Sequence, residues 1–304
     1  MNRVLGCPFF LRKAGLVVFG AMMFAACTRS GPETPPDTPP DASLDAPHTG
    51  SIRIAPLAPS VTEMVWLVGG RAALAGVTTA DDFPPGIQGL PTYSALPIDY
   101  EAIVVLEPDV VIGTHQVNAP RDMEAFEVLG IPVELLENRS IEDLLEAILQ
   151  IGTLLDQTDR ARFVADSLQS RLDALDTVVE GTRRPSALFL ISSSTSWSFG
   201  PESHIHELME YAGFASITAN FDTEAPVLSD EFVIQAAPDY IFGSFSDEHP
   251  LEALLEHHPA WRHVPAVANG RVFRIDPDLA LRPGPRAIQA AWDMAAIRQA
   301  TPGS

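Results

Sequence analysis

"YEAIVVLEPDVVIGT" (Tyr100–Thr114) and "DEFVIQAAPDYIFGS" (Asp230–Ser244) align without a gap, 130 residues apart. Glu101 falls on Glu231, Pro108 on Pro238, Asp109 on Asp239 and Gly113 on Gly243. Each stretch reads as a short helix with an acid in its first turn, then a Pro-Asp turn, then an apolar strand that stops at glycine. The acid suits the positive end of its helix. Four matches at special residues, all in register, mark an internal repeat.

Further echoes flank the pair. "TEMVWLVGG" (Thr62–Gly70) resembles "HELMEYAGF" (His206–Phe214), each an apolar helix closed by glycine. "GIPVELL" (Gly130–Leu136) resembles "GRVFRID" (Gly270–Asp276), each a strand entered through glycine. Strands alternating with helices imply parallel sheets, so the expected fold is α/β, in two similar lobes. The expected bounds are 51–140 for the first lobe and 182–304 for the second. Between them, 141–181 has helical apolar spacing, opened by the capping-box-like Ser140-Ile141-Glu142-Asp143 and closed at Gly181. A helix over Asp159–Glu180 would reach about 30 Å, a stiff connection with little hinge.

The N-terminus follows a different pattern. Arg3, Arg12 and Lys13 precede an apolar run from Ala14 to Ala26 that ends in Ala25, Ala26 and Cys27. A basic start, a short apolar run and small residues make a signal peptide, here 1–26. Phe24-Ala25-Ala26-Cys27 resembles a bacterial lipobox, which makes Cys27 a lipidation site and a membrane anchor. Residues 27–50 carry Pro32, Pro35, Pro36, Pro39, Pro40 and Pro47 among small and acidic residues, the composition of an extended spacer of up to about 3 Å per residue. With Cys7 inside the leader, the mature chain has one cysteine, hence no internal disulfide and no cysteine-histidine metal framework.

The chain of 304 residues has 40 acids against 19 basic residues and a net charge of −21. Three of the cations lie in the leader, and no lysine follows Lys13. Such a surface repels phosphate backbones and anionic lipid headgroups, so neither is expected as a direct partner. It fits a saline habitat or a positively charged protein partner equally well.

"RIAPLAPSVTEMVWLVGG", "DDFPPGIQGLP", "YEAIVVLEPDVVIG", "LGIPVELLE", "SHIHELMEYAG", "LSDEFVIQAAPDYIFG" and "ALRPGPRAIQAAWDMA", in this order, resemble the class III periplasmic binding proteins. These are the cobalamin, ferric-siderophore and haem binders of ABC importers. The resemblance covers about 53–300. It implies two lobes joined by a rigid helix, a ligand cleft between them, and a monomer that hands a metal chelate to a permease. It also implies that Glu101 and Glu231 dock on permease arginines through charge-assisted pairs. Two equivalent carboxylates, one per lobe, suit a two-fold partner.

Ligands of parallel sheets sit beyond the carboxyl ends of strands. The loops expected there make Ser60, Tyr93, His115, Gln116, Trp197, Phe199 and Arg282 the candidate pocket residues. Trp197 and Phe199 would cover an apolar macrocycle, and Arg282 would face an anionic ligand, with Arg121 as a second cation. Arg286 would brace the last helix. The "D-F-P-P" loop resembles that of the cobalamin binders, yet Ala80, Ala95, Thr114 and Ala225 stand where a corrinoid site often places large rings.

The chain lacks the Gly-x-Ser-x-Gly elbow and the GxxxxGK phosphate loop. His204, His206 and Glu207 do not have the His-Glu-x-x-His spacing of a zinc protease, and His257, His258 and His263 read as surface histidines beside a loop. No enzyme activity and no cofactor are expected. The alternatives are a zinc or manganese receptor of the related rigid-helix class, and a scaffolding lipoprotein.

Overall fold

The computed structural model describes residues 52–301. The leader, Cys27 and the whole of the proline-rich spacer lie outside the described residues. Nine strands run through the described residues: β1 (Ile54–Pro56), β2 (Val77–Thr78), β3 (Thr92–Tyr93), β4 (Val110–Thr114), β5 (Val133–Leu136), β6 (Ser186–Leu190), β7 (Ala215–Ser216), β8 (Tyr240–Gly243) and β9 (Val272–Arg274). The helices are α1 (Pro59–Gly69), α2 (Tyr100–Val105), α3 (Pro120–Val128), α4 (Ile141–Leu154), α5 (Thr158–Val179), α6 (His204–Tyr211), α7 (Asp230–Ala236), α8 (Pro250–His257), α9 (Pro265–Ala268), α10 (Pro277–Ala280) and α11 (Ala287–Ala300).

The strands form sheets ordered β1-β4-β5, β2-β3 and β7-β6-β8-β9, with every ladder parallel. The repeat is visible in the register. Val110 faces Ile54 in the first lobe, and Tyr240 faces Ala187 in the second. Val111 faces Val133, and Ile241 faces Val272. β4 and β8 are central and buried along their whole length, which is why both read as continuous apolar runs.

The Pro-Asp turn has one role in both lobes. Asp109 Oδ2 accepts the N–H of Arg53 at 2.7 Å, while Asp239 Oδ2 accepts that of Ser186 at 3.1 Å. Each carboxylate thus satisfies the first backbone donor of the neighbouring parallel strand and pins its register. Gly130 and Gly270 have φ of 75° and 66°, and a Cβ at either would meet nothing within 4 Å. Backbone handedness, not space, requires glycine where the chain turns into β5 and β9.

The helical connection is α4 followed by the 22-residue α5, about 33 Å long at 1.5 Å per residue. Ser140 caps α4 by accepting the N–H of Asp143 at 3.0 Å, and Asp143 returns the bond to the Ser140 N–H, completing a capping box. α5 buries Ala161, Val164, Leu168, Leu172 and Leu175, packing on α1 and α4 near its start and on α6 and α11 further along. Through it one apolar core runs from Ile54 and Val110 to Phe189 and Tyr240, so the two lobes share a core. No helix among the described residues is long and apolar enough to cross a membrane.

Candidate ligand cleft and docking face

The loops beyond β1, β2 and β4 in the first lobe, and beyond β6, β7 and β9 in the second, bring the polar chemistry together. The lobes touch where Gln116 Nε2 donates to Glu224 Oε1 at 2.8 Å. Gln116 follows β4. Glu224 stands on a segment zipped to the loop after β6: Gly200 N–H donates to Glu224 O (2.7 Å), Ser198 N–H to Pro226 O (3.0 Å) and Leu228 N–H to Ser196 O (3.0 Å). Trp197 lies in the same ladder, opposite Val227, and is 50% exposed. Phe199 is half-buried, its ring edge-on to Phe189 with centroids 5.7 Å apart.

His115 is half-exposed, with Nε2 3.7 Å from Glu137 Oε1. Thr114 ends β4 and Ser244 directly follows β8, at equivalent repeat positions. Their hydroxyls are buried and have no hydrogen-bond partner among the described residues. A ligand or water that reaches these strand ends would find unmatched hydroxyls there.

Three expected pocket residues have other surroundings. Tyr93 is 2% exposed and donates its hydroxyl to Pro56 O at 2.7 Å, so it is a core residue beneath the loops and presents no ring face. Ser60 lies in the first turn of α1, buried, and a Cβ on Gly284 would come within 3.1 Å of its own Cβ. Arg282 was expected to face an anion. Instead its guanidinium meets Asp82 Oδ1 at 2.6 Å and Asp278 Oδ1 at 2.8 Å, so its charge is already matched. Burial opposes the Asp82 charge, but Arg282 outweighs it and holds that carboxyl below its usual range.

The segment from Arg282 to Arg286 crosses to the first lobe. Arg286 donates Nε and Nη2 to Glu63 Oε1 at 2.9 and 2.7 Å, and its guanidinium lies 4.2 Å over the Phe83 ring. Glu63 is 2% exposed, and burial raises its pKa although Arg286 pulls it down. The "DDFPP" loop therefore serves as a clasp: Asp82 and Phe83 hold the two arginines. The expected bracing role of Arg286 is extended to a link between lobes.

A profile of the periplasmic binding proteins matches residues 54–279. The chain belongs to that family. The vitamin B12-binding protein of Vibrio parahaemolyticus is 25% identical over 243 residues, 78% of this chain and 86% of that protein. An ABC transporter substrate-binding lipoprotein of Bacillus subtilis is 23% identical over 251 residues, 80% of this chain and 78% of that one. The fold matches the crystal structure of a periplasmic haem-binding protein of Pseudomonas aeruginosa with TM-score 0.73 and 22% identity, over 84% of this chain and 95% of that one. A periplasmic binding protein of this kind is a binding protein and not an enzyme.

In this periplasmic binding protein Glu101 and Glu231 are both exposed and both occupy the second position of their helices. Asp99 caps α2 by accepting the Ala102 N–H at 3.0 Å, and Ser229 caps α7 by accepting that of Phe232 at 3.2 Å. With the caps held by neighbours, neither glutamate is needed to close its own helix. A helix leading into a parallel strand starts at the level of the strands' carboxyl ends, so both lie on the cleft side of their sheets.

The histidine reading needs a correction. His258 is buried, stacked on Trp261 at 4.1 Å, with Nδ1 3.3 Å from Asp230 Oδ1; of the three, His257 and His263 are exposed. No group of three His, Cys, Asp or Glu placed to hold a metal ion occurs among the described residues. Sequence reasoning missed Glu63 and Glu224. An acid inside the apolar helix "TEMVWLV" was a signal for Glu63; nothing local marks Glu224.

Proposed function

We propose that this chain is the extracytoplasmic receptor of an ABC importer. It captures a metal chelate of the cobalamin, ferric-siderophore or haem class in the cleft and delivers it to the permease. The observation that carries the reading is the equivalence of Glu101 and Glu231, exposed at matched helix positions of two similar lobes. Two carboxylates so placed suit paired arginines of a two-fold partner. Relatives named for vitamin B12 binding and for ABC-transporter substrate binding support it. Signal-peptide removal and lipidation at Cys27, with 27–50 as spacer, would hold the monomeric body, lobes 51–140 and 182–304 with 141–181 between them, at the membrane surface. Tethering raises its effective concentration at the permease.

The test is titration of the full chain with cyanocobalamin, haemin and ferric siderophores, followed by tryptophan fluorescence. Saturable sub-micromolar quenching by one of them is expected, and most of it should vanish in Trp197→Phe. Response to Zn²⁺ or Mn²⁺ alone would favour the metal-ion receptor instead, and silence to all would leave the scaffolding role. In the docking arm, Glu101→Arg with Glu231→Arg should abolish stimulation of the cognate transporter's ATPase and leave ligand affinity intact. Loss of ligand binding in that variant would refute the docking assignment.

A further inference from the structure

The rim of the cleft carries a charge pattern that bears on which chelate enters. In the second lobe, the loops beyond β6, β7 and β8 (191–203, 217–229 and 244–249) hold Glu202, Asp222, Glu224, Asp247 and Glu248, and neither lysine nor arginine. The loop beyond β9 supplies Arg282 and Arg286, but these face Asp82, Asp278 and Glu63. Across the cleft, Arg121 lies 3.8 Å from Asp122, and Arg139 lies 3.6 Å from Glu137. Each arginine named here therefore already has a carboxylate beside it.

One of these acids is held at the place where the lobes meet. The Glu224 backbone is fixed by the Gly200 N–H at 2.7 Å, and its Oε1 takes the Gln116 amide donor across the cleft at 2.8 Å. A carboxylate only accepts hydrogen bonds when ionised, so Glu224 favours a ligand that brings donors. A carboxylate on the ligand would face a like charge on a half-buried Glu224, and the arginines named above are already paired.

We propose that Glu224, oriented by Gln116, is a specificity-determining residue of the cleft. It selects a neutral or cationic chelate whose periphery carries amide donors over one whose periphery carries free carboxylates. The proposal rests on the receptor reading above and narrows it to the amide-bearing corrinoid class. Discrimination comes from a repulsive element against the wrong ligand as much as from attraction to the right one.

A matched pair of ligands tests it. Dicyanocobyrinamide carries side-chain amides on the corrin ring, and dicyanocobyrinic acid carries carboxylates in their place. The full chain should bind the amide form at least about tenfold more tightly, because like-charge juxtaposition is costly in a partly desolvated site. Glu224→Gln, which keeps the shape and the link to Gln116, should narrow that gap by about threefold or more through tighter binding of the acid form. Gln116→Ala leaves the carboxylate in place but removes its orienting donor, so it should narrow the gap less than Glu224→Gln does. Equal affinities in the unaltered chain, or an unchanged gap in Glu224→Gln, would overturn the proposal. So would haemin, with its two propionates, binding as tightly as the amide corrinoid; that result would leave the receptor reading standing. Binding of neither corrinoids, haemin nor ferric siderophores would remove the receptor reading and this proposal together.

Discussion

Arg286→Ala tests the clasp between the lobes. The substitution removes two charge-assisted hydrogen bonds to Glu63 Oε1, at 2.9 and 2.7 Å, and the cation stacked 4.2 Å over Phe83. The larger effect is what remains: Glu63, 2% exposed, loses its counter-charge and stays buried. Removing one partner of a buried ion pair typically costs about 3–5 kcal/mol. Arg286 keeps 22% of its side chain in solvent, which places the expectation at the low end, about 3 kcal/mol. The cost should depend on pH. Burial already raises the Glu63 pKa above the usual carboxylate range with Arg286 present, and without it the rise grows. A group whose folded pKa is raised gives its full stability below the unfolded pKa and loses it as pH rises through the folded one. The variant should therefore lose least near pH 4 and most at pH 8, read as the shift in urea midpoint of the full chain. The double substitution Glu63→Gln with Arg286→Met should recover much of the loss, since no lone charge is left buried. A loss below about 1 kcal/mol at pH 8, or one equal at both pH values, would refute the argument that an uncompensated carboxylate is the cause.

Other outcomes follow from single contacts. His204 is buried with Nε2 bonded to Ala280 O at 2.8 Å, and burial pushes its pKa down to about 4. A depressed pKa gives stability that is present above the unfolded value and lost as pH falls, so between about pH 6.5 and 4 the parent should lose about 3 kcal/mol more than His204→Gln does. Asp239→Ala strips the acceptor shared by Ser186 N–H, Ser186 Oγ and Arg183 and should cost about 1–3 kcal/mol; Asp239→Asn, which keeps an acceptor, should cost less in the same unfolding assay. Gly270→Ala meets no atom, so its cost should be the backbone strain alone, about 1–2 kcal/mol.

Local pattern was enough to read the repeat, the parallel sheets and the long helix. The apolar runs of β4 and β8, the glycines at 130 and 270 and the Ser140 cap are each dictated by neighbours within a few residues, where period and turn chemistry operate. The gapless match of Tyr100–Thr114 with Asp230–Ser244, 130 residues apart, carried the lobes and the paired glutamates. The cleft was less legible. Tyr93 reads as an exposed loop aromatic because its hydroxyl partner, Pro56 O, is 37 residues away. Arg282 reads as a free cation because Asp82 lies 200 residues earlier, and Glu63 meets Arg286 across 223. Glu224 acquires a role only where Gln116, 108 residues before it, closes across the cleft. Secondary structure and repeat follow from short-range sterics and burial period, which the sequence carries at every position. Charge pairing depends on which side chains the tertiary fold brings within about 3 Å, and only the folded chain decides that.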